Sequence, residues 1–476
     1  MAALSADRIL TAVAPIMLRF GVPGAGVAAV RGEESVALGY GICEQGRGEA
    51  VGADTTFQLA SCSKAYTTST AAVLVDAGAL AWDDPVQKHL PEFRMHDERL
   101  TTLATLRDLL AMRLGYRNEG IVNWGRNLEL GNEVIFARLR HLRAVAGFRE
   151  RFTYLNPAYT LMAEVIARAS GQPFACCQRE VLTGPLGQTE TFICEGRLER
   201  VKAHAFPHVE LSDGVAPLGM AYCGGRLGES CQYSSADDAA RWIRLHLGNG
   251  EIAGKRIVSA TAMGEMHRPH VCGPCEPALD NHFLAYAMGW QCRDTPHGPV
   301  LLHEGAEFGV ATFTILDPAR HSGAAIYANL DSSPAVKAAG YTLIDLLAGR
   351  EPRDWASVCE KLYSIEREAT RRQIDSTLAR YAQPEPAGLE ISGSYFSRAN
   401  GVIDISETAA GLDMCVRDGW VYDCVLQPVK GNLYRAQPRF RGMHSRARTG
   451  LCVCFVRDDT GFTLHVPGFG DARKIA

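Results

Sequence analysis

Apolar residues recur at helical spacing from residue 7 to 20, and Gly21 and Pro23 end that pattern. The small and β-branched run Gly26 to Val30 then predicts a strand, so the chain opens as a helix feeding a sheet. Cys62 to Asp76 repeats Ala, Thr, Val and Leu at helical spacing with little polar relief and stops at Gly78, which predicts a buried helix. Between 83 and about 215, further helical stretches, notably Leu103 to Met112 and Pro157 to Ala169, alternate with Gly- and Asn-containing loops, the pattern of a helical subdomain inserted in the sheet. From Gly298 the period changes: Val300 to His303, Gly309 to Leu316 and Ala324 to Leu330 predict three antiparallel strands.

Helical pattern resumes over Ala335 to Leu347 and Trp355 to Tyr381, until Gln383-Pro384-Glu385-Pro386 interrupts it as a linker. Beyond that, Val402 to Ile405, Trp420 to Val425 and Leu451 to Val456 alternate with Gly, Asn and Asp turns and predict a small β-barrel. The division expected is a domain over 1–350, a helical linker over 351–387 and a barrel over 388–476. No period of 20 to 50 residues repeats.

Composition narrows the class. The 476 residues are 47% apolar and 21% charged, an ordinary globular balance. With 49 basic and 53 acidic side chains the net charge is −4, too even for polyphosphate or an acidic bilayer, so neither nucleic acid nor membrane is an expected partner. Asp7, Arg8 and Arg19 interrupt the first 30 residues, leaving no charge-free stretch behind a basic start, and no run reaches the roughly 18 apolar residues of a membrane span. A cytoplasmic location is expected, and the 15 cysteines, an odd number that includes adjacent Cys176 and Cys177, read as reduced thiols. Cys272-Gly273-Pro274-Cys275 lacks both a thioredoxin-like context and a second ligand pair, so it reads as a loop with two thiols. Gly-rich stretches lack a phosphate-binding frame, and neither a cofactor nor a metal is expected.

Three short patterns carry candidate chemistry. Ser61-Cys62-Ser63-Lys64 puts a lysine one helical turn beyond a serine, where an amine in a dry pocket takes the proton that keeps a hydroxyl from attacking. The Ser61 N–H at the helix start is a candidate oxyanion donor. With 22 serines and 8 lysines, chance alone supplies about 0.4 such pairs, and an N-cap serine beside a solvated lysine is the plain alternative. Tyr154-Leu155-Asn156 offers a proton shuttle and a substrate-holding amide, although Asn156 before Pro157 also reads as an ordinary N-cap and N1 pair. His303-Glu304-Gly305-Ala306 offers a strand edge with a glycine against which substrate can lie and, at Ala306, a second oxyanion N–H; alone, His303 reads as a partly buried strand histidine.

Taken in order, these patterns resemble the motifs S-x-x-K, Y-x-N and [KH]-x-G of the serine β-lactamase and penicillin-binding-protein-like family, in particular its class C-like esterase and peptidase branch. Asp84-Pro85-Val86, Leu90-Pro91-Glu92-Phe93, Thr105-Leu106-Arg107-Asp108-Leu109-Leu110 and Tyr233-Ser234-Ser235-Ala236-Asp237-Asp238 also match, so the resemblance spans residues 10 to 350. The segment opened by Gly393-Ser394-Tyr395 resembles the lipocalin-like barrel of some branch members.

The resemblance implies an α/β fold with a β-lactamase/transpeptidase-like antiparallel sheet, flanking helices and a helical subdomain. It implies that Ser61 is acylated, that Lys64 and Tyr154 move its proton, and that Asn156, His303, Gly305 and Ala306 line the substrate site. The activity implied is a serine hydrolase acting on a peptide, amide or ester. Two alternatives are an acyltransferase or peptide cyclase using the same site and a non-catalytic, filament-forming member. His303 stands where carboxylate-binding relatives have lysine, which implies a preference for uncharged substrates. Ala111-Met112-Arg113-Leu114-Gly115-Tyr116 and Ser230-Cys231-Gln232 depart from the usual S-H-R-T-G-L and Ala-Gly-Gly and leave the substrate open.

Overall fold

A computed structural model describes residues 3–118, 132–193, 203–211, 214–218, 227–275, 279, 281–307, 309–381, 388–398, 401–409, 411–417, 423–439, 451–459, 461–466 and 470–475. Helix α1 (Ala6–Arg19) begins at Ser5, whose side chain accepts the Arg8 N–H, and leads into strands β1 (Gly24–Arg31) and β2 (Glu34–Gly41). The sheet is completed by β3 (Val271–Gly273), β4 (Leu284–Tyr286), β5 (Gln291–Thr295), β6 (Gly298–Glu307), β7 (Val310–Asp317) and β8 (Ser322–Ala328). Its order is β3-β4-β5-β6-β7-β8-β1-β2, antiparallel throughout. The three strands expected after Gly298 therefore form its centre, with β6 running on to Glu307.

Successive residues of β1 enter different cores. Ala25, Val27 and Ala29 pack with Ile9, Val13 and Met17 of α1 and with Ala338 and Leu343 of helix α5 (Ala335–Leu347), whereas Ala28 and Val30 face the opposite core. Burial on both sides is why β1 reads as one apolar run without alternation. On the second face lie helix α2 (Ser63–Asp76), helix α3 (Pro157–Ser170) and helix α4 (Ala236–Leu247).

Several boundaries differ from the sequence expectation. The Leu103 to Met112 stretch is two short helices, Glu98–Leu103 and Leu106–Leu110. Thr105 between them forms a capping box with Asp108, which starts a new helix instead of continuing the old one. The region toward 215 is not all helical, because His208–Leu211 pairs with Gly214–Pro217, and Phe192–Ile193 joins a three-stranded sheet with Phe57–Gln58 and Gln232–Ser234. The α2 helix begins at Ser63 rather than Cys62, after a 3₁₀ turn over Ala60–Cys62.

Helix α6 (Trp355–Tyr381) packs on α5 and then reaches the C-terminal barrel. That barrel is closed, with eight strands: β9 (Gly393–Ser397), β10 (Gly401–Thr408), β11 (Gly411–Val416), β12 (Asp423–Lys430), β13 (Leu433–Arg439), β14 (Leu451–Asp458), β15 (Gly461–Val466) and β16 (Gly470–Lys474). Strand β16 pairs back onto β9, which removes the edges an open sheet would expose. The linker residues Gln383 to Pro386 and the first part of the Trp420 to Val425 strand lie outside the described residues. No helix among the described residues is long and apolar enough to cross a membrane.

Candidate active site

Ser61 occupies the 3₁₀ turn immediately before α2, and Ala60 ahead of it holds a left-handed φ of 46°, a conformation that costs energy in a residue with a Cβ. Neither Leu59 nor Cys62, at the two cap positions, makes a side-chain cap, and Ser61 is not a cap residue. The turn is tied to the sheet behind it: the Thr312 hydroxyl donates to the Leu59 carbonyl at 2.7 Å, and the Cys62 thiol donates to the His303 carbonyl at 3.3 Å. Burial raises the Cys62 thiol to about 11, so it packs and does not react.

Lys64 is fully buried, which overturns the solvated-lysine alternative. Its Nζ donates to Ser61 Oγ at 2.9 Å and to the backbone carbonyl of Glu229 at 2.9 Å. Taking an ammonium out of water costs several kcal/mol without such partners. Tyr154 lines the cleft beside Ser61, and Lys64 Nζ lies 5.1 Å from the centre of its ring. Burial pushes the Tyr154 phenol well above its usual range, only partly offset by the neighbouring Ser61, so it is a neutral phenol at pH 7.

The loop carrying Tyr154 is fixed by Met112 and Asn118. Thr153 N–H donates to the Met112 carbonyl, Asn118 N–H to the Tyr154 carbonyl, and Asn156 N–H to Asn118 Oδ1 at 2.7 Å. Asn156 precedes Pro157 at the first turn of α3 as a cap would, yet its side chain makes no cap bond; it is buried and lines the cleft instead.

His303 is buried, not partly exposed. Its Nδ1–H donates to the Glu304 carbonyl at 2.7 Å, and Nε2 accepts from the Tyr286 hydroxyl at 3.1 Å. Desolvation first, then the Lys64 charge, lower its pKa to about 3, so the ring is a neutral wall of the site and not an anion clamp. Beyond the Gln291–Leu302 pair, β6 runs on without a β5 partner, and Gly305 and Ala306 line the cleft there.

The cleft has a volume of about 490 Å³ and brings together Ser61, Tyr154, Asn156, His303, Gly305 and Ala306. Its far wall holds residues no motif marked. Glu304 is paired there: Oε1 receives Lys337 Nζ at 2.9 Å and faces Arg293 Nη2 at 3.4 Å. Arg293 is a buried cation and Lys337 a half-buried one, with side-chain exposures of 3% and 12%, and both line the cleft. The one signal for Lys337 is a lysine near the start of an otherwise apolar helix pattern. Leu362, Tyr363 and Glu366 of α6 close the same wall, so the segment expected to be a linker borders the cleft; no described residue of the barrel does. Cys272 and Cys275 lie elsewhere, on and beyond β3, as exposed thiols.

The chain is similar to several known proteins. "Penicillin-binding protein 4" of Amycolatopsis lactamdurans is 27% identical over 319 residues, covering 65% of this chain and 81% of that protein. "Protein flp" of Staphylococcus aureus (strain MRSA252) is 25% identical over 320 residues, and the match spans 65% of this chain and 60% of that one. "Unguisins hydrolase ungD'" of Aspergillus campestris is 25% identical over 399 residues, 79% of this chain and 72% of that protein. In fold, the octameric penicillin-binding protein homologue from Pyrococcus abyssi superposes with a TM-score of 0.65 at 18% identity, over 99% of this chain and 100% of that one. The family model described as Beta-lactamase matches residues 11–349. Because that match takes in most of the 476 residues and all three motifs, the chain belongs to the Beta-lactamase family.

Proposed function

We propose that this protein is a serine hydrolase that forms an acyl-enzyme on Ser61 and cleaves a peptide, amide or ester. The observation that carries the reading is the 2.9 Å contact between Lys64 Nζ and Ser61 Oγ, with Tyr154 lining the same open cleft. In the neutral-amine form, Lys64 accepts the Ser61 proton as Oγ attacks the substrate carbonyl carbon. The oxygen of the tetrahedral adduct then faces the N–H groups of Ser61 and Ala306. Tyr154, held neutral by burial, relays the proton to the leaving nitrogen or oxygen rather than serving as a standing phenolate. The C–N or C–O bond breaks, the acyl group remains on Ser61, and a water attacks the ester by the reverse proton path. Asn156 orients the substrate from the side of the cleft, and His303 walls the acyl pocket.

Water as acceptor is favoured over an amine by the relative named a hydrolase, which matches 79% of this chain. The free thiols among the described cysteines support a reducing, cytoplasmic setting, and the closed C-terminal barrel supports its lipocalin-like reading. Intact-mass spectrometry tests the proposal: incubation with activated esters, D- and L-amino-acid amides and penicillin should add one acyl mass to the native protein and none to Ser61→Ala. Free acid as the product supports hydrolysis, an amide formed in the presence of amines supports transfer, and no adduct from any donor overturns both.

A further inference from the structure

One buried carboxylate adjoins the proton path without belonging to any of the three motifs. Glu229 is 2% exposed and lies in the loop ahead of the short strand Gln232–Ser234. Its backbone carbonyl accepts from Lys64 Nζ, while its Oε2 accepts the Thr160 hydroxyl of α3 at 3.0 Å. The loop is pinned from two sides. Thr67 of α2 donates to the Gly228 carbonyl at 2.8 Å, and Gly228, at φ +82°, lies so close to α3 that a Cβ would come within 2.4 Å of the Tyr159 carbonyl. Glu229 is thereby held between α2 and α3, against the lysine that takes the Ser61 proton.

The other titratable groups around Lys64 cannot balance an ammonium. Cys62 on the turn, Tyr154 on its loop, Tyr159 on α3 and His303 on β6 are all kept neutral by burial. Glu304 on β6 is 37% exposed and already bridges Lys337 and Arg293. Glu229, by contrast, is buried beside a fully buried lysine, where low polarizability keeps charges visible to one another.

We propose that Glu229 is the counter-charge of Lys64, a positioning residue that stabilises the ammonium formed when Ser61 gives up its proton and so makes the site a serine–lysine–glutamate relay. The inference rests on the acyl-enzyme reading above. It requires no additional reactant: the proton moves from Ser61 Oγ to Lys64 Nζ and on to the leaving group, and Glu229 takes no part in the transfer.

The test is Glu229→Gln, which keeps an oxygen for Thr160 and removes only the charge. With an activated ester and intact-mass detection of the Ser61 adduct, acylation is expected to slow about 10-fold or more at pH 8, because a less basic lysine is a weaker proton acceptor. The acid limb of the rate–pH profile is expected to move down by about one pH unit or more, since losing a nearby negative charge lowers the pKa of an ammonium. Glu229→Asp, still charged, should keep the limb near its native position even if the rate falls. A glutamine variant whose acid limb superimposes on the native one overturns the proposal, because a purely structural role would change amplitude and leave the limb in place. If the glutamine protein does not fold, Asp and Asn at the same position, equal in size and different in charge, make the same comparison. Adducts on Ser61 with coincident limbs sink this inference alone; absence of any adduct in the native protein sinks the acyl-enzyme reading with it.

Discussion

A Cβ placed on Gly305 would lie 3.0 Å from the Ser61 nitrogen, 2.5 Å from the Leu59 carbonyl oxygen and 2.2 Å from Thr312 Oγ1. The glycine of the third motif is therefore a spacing device: it brings the backbone of β6 against the turn that presents the nucleophile. Gly305→Ala must push strand and turn apart, and overpacking of this kind costs about 1–3 kcal/mol. We expect a lowered melting temperature and a fall of at least ~100-fold in the acylation rate, read by single-turnover kinetics. A native rate in the alanine variant would mean that the contact does not set the geometry of Ser61.

Covalent labelling by a fluorophosphonate should vanish in Ser61→Ala and persist in Ser63→Ala. Ser63 is 2% exposed, and its hydroxyl accepts the Gln232 N–H at 3.2 Å, on the side of α2 away from the cleft. Undiminished labelling of Ser61→Ala would refute the nucleophile assignment.

Lys64→Met and Tyr154→Phe should each lower the acylation rate by at least ~100-fold, the usual contribution of positioned proton transfer. The two groups lie together beside Ser61 and are assigned to one proton path, so the double variant should be far less impaired than the product of the two single losses. Multiplicative losses would argue for two separate proton paths.

Imidazoles shielded from water, among them His303, His267, His246 and His208, should make stability depend on pH. Burial lowers His303 to about 3 and His267 to about 4, and lowers His246, which shares a 2.9 Å hydrogen bond with His267. In the unfolded chain each has an ordinary value of about 6.5. Below that value the unfolded state binds protons that the native state refuses, so stability falls as pH drops from 6.5 toward 4, by about 1.4 kcal/mol per pH unit for each such group. Thermal melts between pH 7 and 5 should show this slope, and His303→Gln should flatten it. An equal slope in that variant would mean that His303 protonates freely in the native protein.

Charge on the substrate should matter through Lys337 and Arg293 rather than through His303. Arg293 and Lys337 share the far wall of the cleft with Glu304 and Glu366, so a charged donor meets charged side chains there, whereas His303 presents a neutral ring. Acylation by a matched carboxylate and methyl-ester pair of donors measures this. Lys337→Met should lower the carboxylate-to-ester ratio by about 5-fold or more, which is a cost of about 1 kcal/mol. A ratio unchanged by the substitution would show that the acyl donor does not reach that wall.

How much of this could be read from the sequence depended on whether the responsible interaction was local. The buried run of α2, the turn-separated strands from Gly298 and the alternating segments after 388 all announce themselves within a few residues, and each is present. So are Ser61 and Lys64, one turn apart. The break at Ala104 was hidden because Thr105 and Asp108 form a capping box inside what looks like one apolar repeat. Strands β3 to β5 were missed because they are only three to five residues long. Glu229, Arg293 and Lys337 reach the site from three distant segments; nothing near any of them in the chain marks it as part of one cleft. The plain readings of Lys64 and His303 failed for the same reason, since the residues that bury them come from elsewhere in the fold.

The helix that carries Lys64 has a last consequence. From Ser63 to Ala72 every residue of α2 is buried, so the helix runs through the middle of the domain without a solvated face. Such a segment has no partial opening of its own, and its amides should exchange with solvent only when the whole domain opens. Loss of activity on heating and loss of structure should then be a single event. The enzyme would have no warm, folded but inactive state, and its working range would end where its core melts.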